Sequence, residues 1–245
     1  MAPSRISLVV PAYNEAALLP RLLGSVDAAR ARYGRGAEAV EVIVADNAST
    51  DATASIAAAH GCRVVRVEKR VIGAARNGGA SAARGEFLTF IDADSIVHAE
   101  TFNAIDAALA GDRVVGGATG VTLERWSLGL VVTYAFMLPM IYVTGMDTGV
   151  VFCRRADFEL LGGYDERRAV AEDVAFLWAL SKLGRSRGQK LIRLRSAKAV
   201  ASTRKFDRYG DWHYFTHMTR LAVAMLANPA VRDDFVRRYW YSDRD

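Results

Sequence analysis

Two aspartates follow an apolar run of the sequence and are separated by one alanine. The run is Phe87 to Ile91, and Asp92, Ala93 and Asp94 come directly after it. In an extended strand, side chains two positions apart lie on the same face, so the pattern predicts that both carboxylates face one ligand. Two like charges on one face repel each other and lose hydration. Mg²⁺ and Mn²⁺ remove that repulsion, because they bind carboxylate oxygens together with phosphate oxygens and water.

The same aspartates also have a purely structural interpretation. Asp94 with Ser95 is a suitable cap for the next helix, and Asp92 then only ends the strand. Asp46 follows another apolar run, where a turn before a helix cap at Ser49 or Thr50 explains it equally well. Taken one at a time, these acids favour the structural interpretation over the metal site.

The elements that position these acids alternate through the first half of the chain. Strand patterns occur at 5–12, 39–46, 62–68 and 87–91, and helix patterns at 20–34, 49–61, 73–85 and 99–109. Such alternation is typical of βαβ units and a parallel, buried sheet, whose ligands bind beyond the carboxyl ends of the strands. Three of those ends carry polar residues, at 13–15, 46–47 and 92–94. The sequence therefore predicts an α/β fold with its site at this edge.

The second half of the chain is less regular. It holds a strand pattern at 148–155, a short helix at 155–163, an amphipathic helix at 171–184 and a helical tail from 211. No linker or internal repeat divides the 245 residues, so we predict a single domain over 1–245. The segment 11–16, PAYNEA, contains no glycine, which argues against a dinucleotide-binding fingerprint or a P-loop.

The composition excludes several classes of function. The net charge of +5 is compatible with an anionic ligand or a membrane surface but is too small to predict a nucleic-acid partner. Cys62 and Cys153 are the two cysteines and form no CxxC pair, which argues against zinc and against a disulfide framework.

Two apolar segments bear on the cellular location. The apolar run near Met1 is too short for a signal peptide, so we expect a cytoplasmic protein. Residues 126–146 carry no charge and would extend about 31 Å as a helix, but glycines and Pro139 interrupt them. We expect a buried core helix there, with an interfacial or acceptor-facing apolar surface as the alternative.

Five motifs occur in an order and at a spacing that resemble family 2 glycosyltransferases of the GT-A fold. They are VVPAYNEAALLPRLLGSV, VIVADNASTDAT, GAARNGGASAARGEFLTFIDADS, TGVVFCRRADFELLGGYDE and AEDVAFLWALSKLG, at 9–26, 42–53, 73–95, 148–166 and 171–184. The resemblance extends from about residue 6 to about residue 205. It implies a mostly parallel central sheet flanked by helices. It also implies a nucleotide-binding half over about 1–95, an acceptor-binding half over about 96–210 and a helical tail over 211–245.

The resemblance also implies roles for single residues. The segment that lines the nucleotide base and ribose would be Pro11, Ala12, Tyr13 and Glu15. Asp46 would hydrogen-bond the base, and Arg76 would lie near the nucleotide. The Asp92-Ala93-Asp94 motif would hold Mn²⁺ or Mg²⁺ against the donor, with Asp92 and Asp94 as ligands and Asp94 as the expected direct one.

The catalytic base and the diphosphate clamp follow from the same resemblance. Asp173 matches the general base of inverting members, and Glu172 is the second candidate. Arg204 or Lys205, in ASTRKF at 201–206, would clamp the diphosphate, although a solvated basic face explains this segment as well. Some relatives add a histidine to the metal site; His213 and His217 lie nearby, where packing is the alternative role.

These features predict an inverting glycosyltransferase that moves one sugar from a UDP- or GDP-sugar to an acceptor hydroxyl. We expect the acceptor to be a sugar or a lipid-linked carrier. With a lipid-linked acceptor, the protein would contact the inner face of the membrane peripherally. The absence of a Gln-x-x-Arg-Trp motif argues against a processive synthase. A sugar-phosphate nucleotidyltransferase and a non-catalytic nucleotide-binding module of the same fold are the alternatives.

Overall fold

The computed structural model describes residues 4–144, 149–168, 171–213 and 215. The described strands are β1 Ile6–Ala12, β2 Val40–Asp46, β3 Arg63–Arg66, β4 Phe87–Phe90, β5 Val114–Leu123, β6 Val151–Arg154 and β7 Lys190–Ala201. The described α-helices are α1 Leu19–Ala31, α2 Thr53–Ala59, α3 Ile72–Ser81, α4 Thr101–Leu109, α5 Leu128–Thr144, α6 Arg155–Leu161, α7 Glu172–Ser186 and α8 Arg204–Tyr209.

The seven strands form one sheet in the order β3-β2-β1-β4-β6-β5-β7. β6 is antiparallel to both of its neighbours, and the other pairings are parallel. The order changes direction at β1, whose neighbours are β2 on one side and β4 on the other. This is the mostly parallel sheet that the alternating pattern predicts.

Continuous apolar runs form the inner strands because helices cover both faces of the sheet. All seven residues of β1 are buried. Leu8 and Val10 pack on one face with side chains of α1 and α4, and Val9 packs on the other face with α3, α6 and α7. The alternation of side chains along β1 therefore supplies both halves of the core.

Two predicted helix starts are wrong, and tertiary contacts explain why. The helix expected from Ser49 begins at Thr53, because the Ser49 and Thr50 hydroxyls bond to Asn14 in the preceding loop. Asp51 instead accepts the backbone N–H of Thr53 at 2.9 Å. The helix expected from 99 begins at Thr101, and the helices expected to end at 34 and 85 end at Ala31 and Ser81.

The expectation of a buried core helix at 126–146 is wrong for much of its length. Leu130 is fully buried, but Leu128 and Phe136 are 74% and 73% exposed. α5 therefore packs along one side and presents apolar side chains on the other. None of the helices in the described ranges is long and apolar enough to cross a membrane. Residues 145–148 lie outside the described residues, as does most of the helical tail predicted over 211–245, including His217.

Candidate active site

The polar residues after β1, β2 and β4 meet at the carboxyl edge of the sheet. Ala12, the last residue of β1, pairs in register with Asp46, the last residue of β2. Glu15 follows β1, and Asp92 and Asp94 follow β4 on its other side. Ligands of parallel sheets bind where the strand order changes direction, which here is beside β1. The fold thus brings together the three polar strand ends that the sequence singled out.

Asp92 and Asp94 do not lie in a strand, so the prediction from strand alternation is wrong. β4 ends at Phe90, and the Ser95 N–H donates to the Asp92 carbonyl at 3.1 Å, so the acids lie in a turn. Asp92 accepts a hydrogen bond from Arg76 at 3.0 Å, and Asp94 accepts one from Arg204 at 3.3 Å. A turn can present both carboxylates at one edge without strand geometry, while Ala93 between them in sequence is buried in the hydrophobic core.

Arg76 is the buried centre of the site. Its Nη1 donates to Glu172 at 2.7 Å and its Nη2 donates to Asp92 at 3.0 Å. Its guanidinium carbon lies 5.1 Å from the centroid of the Tyr164 ring. Burial alone would lower the pKa of Arg76, but the neighbouring acids raise it above its usual range. Arg76 is therefore charged, and it links the acids after β4 to the start of α7.

Small residues allow α3 to place Arg76 this deeply. A Cβ at Gly79 would collide with Val9 of β1 and crowd Ala45 of β2, so α3 lies close against the sheet. Asn77, which follows Arg76 in α3, holds the backbone of Tyr164. Its Oδ1 accepts the Tyr164 N–H at 2.8 Å, and its Nδ2 donates to the Tyr164 carbonyl at 2.9 Å. The helix thus holds both the guanidinium and the aromatic ring beneath it.

The two candidate bases differ in their surroundings although they are adjacent. The Glu172 side chain is 8% exposed and is ion-paired with Arg76. Asp173 is partly exposed, and its Oδ1 accepts the Val174 N–H at 2.8 Å. Burial raises the pKa of both carboxyls, and the positive charge of Arg76 partly opposes this. Asp173 is therefore the more exposed of the two carboxylates, while Glu172 is held by Arg76.

Arg204 joins the loop after β1 to the turn after β4. Its Nη1 and Nη2 donate to the two oxygens of Glu15 at 3.0 and 3.1 Å, and Nη2 also lies 3.3 Å from Asp94. Glu15 is 2% exposed, so its carboxylate anchors this guanidinium rather than facing solvent. The fork of Arg204 matches a carboxylate as it would match a phosphate.

The residues expected around the base and ribose lie at one end of this edge. Pro11, Ala12 and Tyr13 are buried, and the guanidinium of Arg70 lies 4.5 Å from the Tyr13 ring centroid. Asp46 is buried and accepts the Ser49 N–H at 3.1 Å.

Sequence reasoning missed Arg66 and Arg70 as members of this region. Arg66 stands in register with Asp46 and lies 3.5 Å from it. The register of β3 on β2 is the signal that places Arg66, and it becomes readable only once the strand ends are known.

Two carboxylates suit a divalent cation that is shared with a diphosphate. Mg²⁺ typically takes one or two protein carboxylates and completes its shell with phosphate oxygens and water. Asp92 is 53% exposed, so its carboxylate is open to such a ligand. Within the described ranges, no three His, Cys, Asp or Glu side chains come together as a metal site. His213 is buried, its Nδ1 lies 2.9 Å from the Gly210 carbonyl, and its ring packs on Phe206.

Sequence comparison relates this chain to sugar-transferring enzymes. The model of the family described as Glycosyl transferase family 2 matches residues 7–145, which is more than half of the chain. Validoxylamine A glucosyltransferase of Streptomyces hygroscopicus subsp. jinggangensis is 36% identical over 112 residues, which cover 43% of this chain and 26% of that protein. The similarity thus spans about a quarter of that relative's length.

Solved structures share the fold. S. aureus TarS 1-349 in complex with UDP-GlcNAc gives a TM-score of 0.63 at 21% identity, over 81% of this chain and 58% of that chain. Mannosyltransferase PcManGT from Pyrobaculum calidifontis, in complex with GDP-Man and Mn²⁺, gives a TM-score of 0.62 at 22% identity, over 82% of this chain and 59% of that chain. At these identities the likeness concerns the fold, and it confirms the expected GT-A architecture.

Proposed function

Because this chain belongs to the family 2 glycosyltransferases, we propose that it transfers one sugar from a UDP- or GDP-sugar to an acceptor hydroxyl with inversion. The observation that carries the proposal is the Arg76 bridge. It joins Asp92 in the expected cation site to Glu172 beside the expected base, over 16 and 96 positions of the chain respectively. A donor diphosphate near Asp92 and an acceptor near Asp173 would then share one site.

In this proposal Asp173 takes the proton of the acceptor hydroxyl. The acceptor oxygen forms a bond to the anomeric carbon, and the bond between that carbon and the diphosphate oxygen breaks. A divalent cation bound by Asp92 and Asp94 would neutralise charge on the departing diphosphate. Arg204, held by Glu15, supplies a guanidinium beside the same oxygens.

The nucleotide would occupy the opposite end of the carboxyl edge from Asp173. The proposed base pocket is made by Pro11, Ala12, Tyr13 and Asp46, and Arg70 over the Tyr13 ring supplies a further positive charge. UDP-GlcNAc is bound in the TarS structure and GDP-Man with Mn²⁺ in the PcManGT structure, which supports this class of donor.

We propose that the acceptor is linked to a lipid, because α5 presents an exposed apolar surface. α5 exposes apolar side chains that include Leu128, Val131 and Phe136. α8 connects this helix to the site, because Arg204 begins α8 and its Asp207 accepts a 2.7 Å hydrogen bond from Arg125, just before α5. An acyl or prenyl chain on the α5 surface would therefore leave its head group near Arg204. The protein would then contact the membrane peripherally.

The donor is tested by thermal unfolding with UDP, GDP and their sugars, with and without Mn²⁺. We expect one base to raise the melting temperature, and only in the presence of metal. Radiolabelled sugar transfer to a lipid phosphate in detergent then tests the reaction. Stabilisation without any transfer or donor hydrolysis would favour the non-catalytic binding module, and formation of a sugar nucleotide from a sugar phosphate and a nucleoside triphosphate would favour the nucleotidyltransferase.

A further inference from the structure

A second cavity lies at the amino edge of the sheet, opposite the candidate active site. Its volume is about 500 Å³, which is within the range of small-molecule sites. Arg5 precedes β1, Glu86 precedes β4 and Arg155 begins α6, and all three line the cavity. The seven residues of β1 separate the two edges by about 20 Å at about 3.3 Å per residue. This cavity is therefore distinct from the proposed donor site.

Arginines dominate the wall of this cavity. The lining residues include four arginines, Arg5, Arg35, Arg84 and Arg155, and one acid, Glu86. Arg5 pairs with Glu86, and Asp106 accepts hydrogen bonds from Arg5 at 2.9 Å and from Arg35 at 2.5 Å. Glu159 pairs with Arg155, so three carboxylates face four arginines, which leaves an excess of one positive charge around the cavity.

Acids lie beside three of these arginines, and Arg84 carries the excess charge. Arg155 is positioned by a 3.0 Å hydrogen bond from its Nε to the Gly85 carbonyl, and its Nη1 lies 3.4 Å from the exposed carboxylate of Glu159. The backbone N–H of Arg84 donates to Glu41 at 2.6 Å, which fixes the main chain there. Within the described part of the chain, the Arg84 guanidinium has no hydrogen bond or ion pair.

We propose that this cavity binds a phosphate-bearing small molecule, with Arg84, Arg35 and Arg155 as its principal contacts. A planar guanidinium binds two phosphate oxygens at once, and several on one wall match the spread of charge on a phosphate group. The volume leaves room for a sugar-sized body beyond the phosphate. The site goes beyond the proposed transfer reaction, since the donor diphosphate lies at the other edge.

Isothermal titration with inorganic phosphate and with pyrophosphate, in EDTA, tests this site. We expect saturable binding to the wild type, at least tenfold weaker binding to Arg84→Gln, and a further loss in Arg35→Gln/Arg84→Gln. Arg195→Gln removes an exposed charge in the middle of β7 and should bind as the wild type does. Because Arg84 is exposed and makes no side-chain pair among the described residues, its variant should unfold at the wild-type temperature.

Two further arms separate this site from the donor site and from a lipid head group. Arg204→Lys alters the donor site only, so it should keep phosphate binding, and Arg84→Gln should keep nucleotide-dependent stabilisation with Mn²⁺. The proposal is overturned if the wild type shows no saturable binding, or if Arg35→Gln/Arg84→Gln binds phosphate as the wild type does, whatever Arg204→Lys does. Sedimentation with phosphatidylglycerol vesicles that is lost in Arg84→Gln would identify the phosphate as a lipid head group.

Discussion

Arg76 and Glu172 form a buried ion pair, with the Arg76 Nη1 donating to Glu172 at 2.7 Å across 96 positions of the chain. Both side chains are 8% exposed. The pair fixes the start of α7 against α3 and thereby sets the position of Asp173. Because the pair is buried, its charge acts on the pKa of Asp173 and its geometry acts on the position of Asp173.

Replacing Asp173 by Asn should remove the proposed base without changing its size. We expect turnover to fall by about 10²–10⁴-fold, the usual contribution of a general base. Nucleotide binding in the presence of Mn²⁺ should stay within about twofold, because the proposed donor contacts lie elsewhere. Asp112→Asn changes an exposed acid away from the site and serves as the matched control. An Asp173→Asn enzyme with wild-type turnover would remove this residue from the mechanism.

The pH profile of kcat/KM should report the surroundings of Asp173. Burial raises its pKa, and the charge of Arg76 opposes that rise. Because a base acts when deprotonated, activity should fall as pH drops through a pKa above the ordinary aspartate value of about 3.9. Arg76→Met removes the opposing charge, so the acidic limb should move to higher pH. A limb that moves to lower pH would contradict this electrostatic account.

Breaking the buried pair from one side should cost more than removing both charges. Arg76→Met leaves Glu172 buried and unpaired, for which we expect a loss of about 3–5 kcal/mol in the free energy of unfolding. Arg76→Met/Glu172→Gln should recover part of that loss, because no uncompensated charge remains. Urea unfolding of the single and double variants measures the difference. Equal stability of the two variants would show that the pair contributes through packing alone.

Binding of the proposed cation should depend on both aspartates of the turn, Asp92 and Asp94. EDTA should abolish sugar transfer, and Mn²⁺ should restore it. Asp94→Asn should raise the Mn²⁺ concentration for half-maximal activity at least tenfold, since a neutral amide is a weaker ligand than a carboxylate. Titration of activity with Mn²⁺ in wild type, Asp92→Asn and Asp94→Asn separates the two contributions. Full activity in EDTA would exclude the cation from the reaction.

Glu15 should act on the donor through Arg204. Glu15→Gln loses the charge that holds the guanidinium, and Arg204→Lys loses the two-pronged hydrogen bond. We expect each to raise KM for the donor about tenfold, which corresponds to about 1.4 kcal/mol. The double variant should be little worse than either single one, because both changes remove the same interaction. Additive effects would indicate that Glu15 and Arg204 contact the donor independently.

The parallel sheet was predictable because its signal is local. Each inner strand is a run of apolar residues, and each run is followed by a helix pattern, so the bounds of β1, β2 and β4 lie within one residue of those expected. β3 is shorter than the pattern 62–68, because its pairing with β2 ends where Asp46 meets Arg66. Pairing partners, rather than composition, set that end.

The contacts of the site were not predictable because they join distant positions. The family resemblance places Glu15 and Arg76 beside a nucleotide, but the guanidinium that binds Glu15 lies 189 positions away and the carboxylate of Glu172 that binds Arg76 lies 96 positions away. Similarly, α5 is apolar around its whole circumference, so no periodicity marks the side that packs. Only the folded structure determines that Leu130 is buried and Leu128 is exposed.

The strand order also implies that the parts of the site assemble one after another during translation. β1 to β4 are complete by residue 90 and lie side by side, so the proposed nucleotide-binding half can begin to assemble while the ribosome is still translating α7. Glu172 reaches Arg76 only later, and Arg204 reaches Glu15 later still. A nascent chain arrested before residue 204 would therefore hold a formed sheet edge without the Arg204 guanidinium beside Glu15, and the electrostatic contacts of the site are complete only once residue 204 has been added.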